Sequence, residues 1–157
     1  MPRNQVSEQR KRYIVSLLEC RLGPLRLNHL RRSDWYSSKD GTVDVFITDS
    51  KAHFNQRPWF DMRGEDLKEL ASHPAGFIIF ILGDQGCYLV IPARRLVEQL
   101  PHHREGVLES GFYHFNTVLG RRAFEQLPAW DLFQYLGMID LIPGAQKRET
   151  DLAKNWS

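Results

Sequence analysis

Cysteine is scarce in this chain: Cys20 and Cys87 are the only two among 157 residues. Two cysteines give no disulfide framework and no CxxC metal pair, so a reducing cytoplasm is the expected compartment. Long hydrophobic runs are missing as well. The longest, Gly76-Phe77-Ile78-Ile79-Phe80-Ile81-Leu82, is far shorter than the roughly 20 residues that cross a bilayer. The opening Met1-Pro2-Arg3-Asn4-Gln5 is polar and unlike a signal peptide. No G-x-S-x-G element marks a serine hydrolase, and Gly83-Asp84-Gln85-Gly86 lacks the lysine of a phosphate loop and reads as a hairpin turn. The six histidines, His29, His53, His73, His102, His103 and His114, have no zinc spacing.

What is present is a core and an uneven charge. A hydrophobic share of 42% in 157 residues suits one compact core, expected as a single globular domain over 1–143 with a polar tail, 144–157. The net charge of +2 conceals an asymmetry. Residues 1–32 hold eight basic side chains, mostly arginine, against Glu8 and Glu19, whereas the remainder is acidic overall. An arginine-rich end supplies bidentate phosphate contacts and a salt-dependent affinity for nucleic acid. Arg10, Arg12, Arg31 and Arg32 are the candidate phosphate-binding residues. The competing expectation is a solvated helix face.

Hydrophobic spacing predicts a helix over 5–22, with Ser7 as N-cap, Gly23-Pro24 as stop and Cys20 near the buried stripe. Leu25, Leu27 and His29 alternate as in a half-buried strand. Asp40-Gly41 turns the chain into a second strand. There Val43, Val45 and Ile47 face one side, and Asp44, Phe46 and Thr48 the other. A short helix over 64–72 ends near Pro74. Strands follow at 77–82 and 87–91, then a helix over 93–100 that points Leu96, Val97 and Leu100 inward. A further strand is expected at 111–118, with helices over 121–127 and 130–142. A strand buried on both faces beside helices predicts an α/β fold with a mixed central sheet.

Val43-Asp44-Val45-Phe46-Ile47-Thr48-Asp49-Ser50-Lys51, followed by Pro58-Trp59-Phe60, the run 77–83 and Tyr88-Leu89-Val90-Ile91-Pro92-Ala93, resembles the PD-(D/E)XK superfamily of restriction-endonuclease-like nucleases. The resemblance covers roughly residues 10 to 100 and rests on pattern and order. It implies a restriction-endonuclease-like core, DNA as partner and Mg²⁺-dependent hydrolysis of phosphodiester bonds. Carboxylates that hold Mg²⁺ beside a lysine that orients water are what this chemistry requires. Asp34, Asp44 and Asp49 are the candidate metal ligands and catalytic carboxylates, and Lys51 the catalytic cation.

Three alignments of the motif are open. Asp34 with Asp49-Ser50-Lys51 supplies the lysine, although Ser33 stands where the family has proline. Asp44 with Asp61-Met62-Arg63 places its members on adjacent strands but offers arginine, a poorer activator of water. Val43-Asp44-Val45-Phe46 as the motif strand puts Phe46 in the lysine position, which implies a DNA-recognition module without catalysis. A barrel-like DNA reader and a protein-interaction domain are the remaining alternatives. Cleavage of both strands of a duplex by one such core implies a homodimer.

Overall fold

The computed structural model describes residues 3–27, 34–49, 59–82, 87–100, 112–118, 123–124, 127 and 129–144. Its centre is a five-stranded mixed sheet. Strands β1 (Leu25–Leu27), β2 (Trp35–Ser38) and β3 (Asp44–Asp49) form an antiparallel meander. The chain then leaves the sheet, passes through β4 (Trp59–Arg63) and helix α2 (Gly64–Ser72), and returns as β5 (Gly76–Ile81), parallel to β3. Strand β6 (Tyr88–Pro92) pairs antiparallel with β5 and completes the order β1-β2-β3-β5-β6. This is a mixed α/β architecture, as the buried apolar run at 77–82 predicts.

Each face of this sheet has its own apolar layer. Helix α1 (Arg3–Leu22) covers one face, where Ile14, Leu18 and Leu22 pack with Val43, Val45, Ile47, Phe77, Ile79 and Val90. The opposite face carries Phe46, Ile78, Phe80, Leu89 and Ile91 into a second cluster. That cluster also takes Leu67 and Leu70 from α2, and Leu96 from helix α3 (Ala93–Gln99). Strands β3 and β5 are thus apolar on both sides, and the crossover through α2 accounts for it.

A second sheet lies under the same face. Strand β4 pairs with β7 (Phe112–Val118), which pairs with β8 (Ala123–Phe124). Phe80 of the central sheet meets Phe60 of β4 edge-on at 4.9 Å and Phe124 of β8 at 5.3 Å. Fully buried aromatic side chains of this kind contribute about 1.5–3 kcal/mol each through burial, so the two sheets share one core.

The structure corrects several expectations. Helix α1 starts at Arg3, so Ser7 lies within it and does not cap it, and Cys20 is exposed. Val97 is 38% exposed, so of the expected inward trio only Leu96 is fully covered, with Leu100 partly buried against it. No helix forms at 123–124, where β8 pairs with β7 instead, and residues 130–142 hold two 3-10 turns, Leu132–Tyr135 and Ile139–Leu141. Strands β3 and β4 belong to different sheets, so Asp44 and Asp61 do not sit on adjacent strands. Gly144, expected in the tail, still packs against Arg21. No helix among the described residues is long and apolar enough to cross a membrane.

Candidate functional site

The register of the β2–β3 hairpin decides which acidic residues meet. Trp35 stands opposite Phe46 and Ser37 opposite Asp44, and the Ile47 N–H donates to the Asp34 carbonyl at 2.9 Å. Side chains alternate across a strand, so Asp34, Tyr36, Val45, Ile47 and Asp49 turn toward α1. Trp35, Ser37, Asp44 and Phe46 turn toward the second layer. Asp49 closes β3 opposite Ile81, the last residue of parallel β5. The carboxyl ends of parallel strands are where open α/β sheets bind their ligands.

On the α1 side, two carboxylates meet two cations. The Lys11 ammonium lies 2.9 Å from Asp34 Oδ1, and the Arg10 guanidinium 3.5 Å from Asp49 Oδ1. Asp49 is the more enclosed, its side chain 7% exposed against 26% for Asp34. Tyr36 stands beside them with its phenol pushed above the ordinary value of 10.0. Burial is the main cause, the negative charge of Asp34 adds to it, Lys11 partly offsets it, and Glu8 raises it further. Partly exposed ion pairs of this kind contribute at most about 1 kcal/mol each. Burial of Ile14, Leu18 and Leu22 contributes about 1.5–3 kcal/mol apiece. The apolar stripe, and not the ion pairs, therefore holds α1 on the sheet.

Asp44 belongs elsewhere. Its Oδ1 accepts hydrogen bonds from Ser37 Oγ at 2.6 Å and from Trp35 Nε1 at 3.1 Å, and its Oδ2 faces His73 Nδ1 at 3.1 Å. Its backbone N–H donates to the Ala75 carbonyl at 3.0 Å. His73 ends α2, so this carboxylate ties the crossover helix to β3. The structure thus brings Asp34 and Asp49 together on one face and puts Asp44 on the other. Asp61, opposite His114 in the second sheet, joins neither.

The arginine-rich end divides in the same way. Arg10 holds Asp49, while Arg12 is exposed on α1. Arg21 pairs with Asp140 at 3.3 Å and donates to the Ile142 carbonyl, which fastens the C-terminal turns to α1. Arg31, Arg32 and Lys51 lie outside the described residues, as do His29, His53, His102 and His103. Among the described residues, no three His, Cys, Asp or Glu side chains gather closely enough to hold a metal by themselves.

Two features escaped the sequence reading. Lys11 was not singled out as a partner of Asp34, and His73 was not joined to Asp44. Neither contact leaves a local signal, because each depends on how a helix meets the sheet. Helical spacing does put Arg10 and Lys11 one turn before Ile14 in the buried stripe, which is the only hint of their position. Comparison of the chain with protein-family models, with curated proteins and with solved structures returned no match, so the site is interpreted from its own geometry.

Proposed function

We propose that this chain is a DNA-acting protein with a restriction-endonuclease-like core, and that it hydrolyses phosphodiester bonds with the help of Mg²⁺. The observation that carries the reading is the convergence of Asp34 and Asp49 at the carboxyl end of β3, under the cations of α1. The order helix, antiparallel meander, crossover helix and parallel strand supports it. Mg²⁺ is held by one or two carboxylates while keeping waters and taking substrate phosphate oxygens, and two oxygen-bearing side chains on one face fit that requirement. A bound ion of this type polarises the phosphate and lowers the pKa of its water. Asp34 and Asp49 are the ligands in this reading, and Lys51 orients the attacking water. Arg12, Arg31 and Arg32 hold backbone phosphates. Two free, exposed cysteines suit a cytoplasmic setting. Duplex cleavage requires two copies of the chain.

The test is nicking of supercoiled plasmid. Conversion to the open circle with Mg²⁺ or Mn²⁺, abolished in Asp49→Asn and in Lys51→Ala, is the expected result. A chain that cuts nothing under either metal refutes the enzyme.

A second reading is a DNA-recognition module without catalysis. It is favoured by the ion pairs, since each carboxylate already has a cation beside it, and by Asp44, whose bonds serve the fold. Binding that weakens steeply with salt, without strand cutting, distinguishes it.

A further inference from the structure

We infer that Arg10 and Lys11 are exchangeable counterions of the Asp34 and Asp49 carboxylates. They move to backbone phosphates when a nucleic-acid strand docks, and so open the carboxylates to a divalent cation. The inference rests on the proposed nuclease-like reading and adds a regulatory step to the same site. Three observations carry it. Both carboxylates are matched one-to-one by a cation from a single helix, at 2.9 and 3.5 Å. Both cations keep part of their surface in solvent, 20% for Lys11 and 27% for Arg10, so an incoming phosphate reaches them without passing through the core. Helix α1 stays seated when they leave, because Ile14, Leu18 and Leu22 anchor it.

The physical logic is charge balance. Two carboxylates with two resident cations are neutral and attract Mg²⁺ weakly. Two carboxylates whose cations have turned to phosphate regain their charge, and a cation is then attracted both by them and by the phosphate. Guanidinium and ammonium groups suit this exchange because each donates equally well to carboxylate and phosphate oxygens. Strand and metal therefore bind with positive coupling, and the coupling is reciprocal.

Mn²⁺ binding to the full chain is measured from the electron paramagnetic resonance of the unbound ion. The measurement is made alone and with a phosphorothioate duplex that resists cutting, counted above the Mn²⁺ that the duplex holds by itself. Wild type is expected to bind Mn²⁺ about tenfold more tightly with the duplex than without it, within the usual range of such couplings. The double variant Arg10→Gln, Lys11→Gln is expected to show about that gain without any duplex. Equal Mn²⁺ affinity of wild type with and without duplex overturns the exchange, and so does a folded double variant that binds Mn²⁺ no better than wild type. Should the double variant fail to fold, the wild-type comparison alone decides. Nicking is scored separately. Coupled binding without strand cutting retains the exchange and removes the nuclease reading, whereas cutting with uncoupled Mn²⁺ binding retains the nuclease and removes the exchange.

Discussion

Replacing Asp44 by alanine separates a structural carboxylate from the pair on the α1 face. The carboxylate is 6% exposed and accepts from Trp35 Nε1, Ser37 Oγ and His73 Nδ1. Hydrogen bonds to a charged group contribute about 1.5–3 kcal/mol each, and a buried donor that loses its acceptor costs about 1–3 kcal/mol. Ser37 and His73 are partly exposed and regain water, whereas Trp35 is 1% exposed, so its indole N–H bears most of the loss. The sum is about 3 kcal/mol, or a melting temperature lower by about 6–12 °C for a chain of this length. Asp34→Asn touches one ion pair with both partners partly exposed and is expected to cost at most about 1 kcal/mol. Thermal melts followed by circular dichroism at neutral pH compare the two. An Asp44→Ala protein that melts within about 2 °C of wild type, or an Asp34→Asn protein that loses as much as Asp44→Ala, refutes the division of roles.

Two further outcomes follow from packing and titration. Gly76 begins β5 where a β-carbon would collide with the Leu70 carbonyl oxygen at the end of α2. Gly76→Ala is therefore expected to lose about 1–3 kcal/mol or more through forced movement of the backbone, read as a lower urea midpoint; an unchanged midpoint contradicts the close approach. Tyr36 and Tyr88 both have phenols raised above 10.0, chiefly by burial, with Asp34 acting on the first, and Tyr13 and Asp140 on the second. A raised folded value means that the native state keeps its protons longer than the unfolded chain does. The stability involved is complete below pH 10.0 and is lost as pH climbs from there through the raised values. Tyr36→Phe and Tyr88→Phe should each flatten the alkaline fall in melting temperature, and an identical profile in both variants denies the shift.

Much of the fold was legible because its strongest signals are local. The run at 77–82 has too many β-branched and aromatic residues for anything but a buried strand, and Pro74 stops α2 where the sequence says it must. The alternation in β3 placed Asp44 with Phe46 and Thr48, and the structure keeps that division. Legibility failed after residue 120, where Phe124, Leu127, Leu132 and Tyr135 fall at intervals that imitate a helix. Phe124 is drawn into β8 by pairing with β7, and Gly137, at a φ of 65°, breaks the next stretch into short turns. The second sheet was invisible for the same reason, since β4 finds its neighbour across a long separation in sequence. In the candidate site, the carboxylates were legible and their partners were not.

The parity of one strand settles how β3 divides its acidic residues. Asp44 and Asp49 are separated by an odd number of positions, so one must turn toward α2 and the second layer when the other turns toward α1. At Asp44, three donors and little solvent leave the carboxylate no capacity to serve a ligand without loosening the crossover helix. At Asp49, the partner is a single guanidinium at 3.5 Å on a helix that is anchored by other residues, so the charge there can change partners while the fold stays intact. A site that must accept and release charged groups needs the second arrangement. This places the chemistry of the chain on the face that carries Asp34 and Asp49, and it makes the exchange of cations on α1 the step on which that chemistry depends.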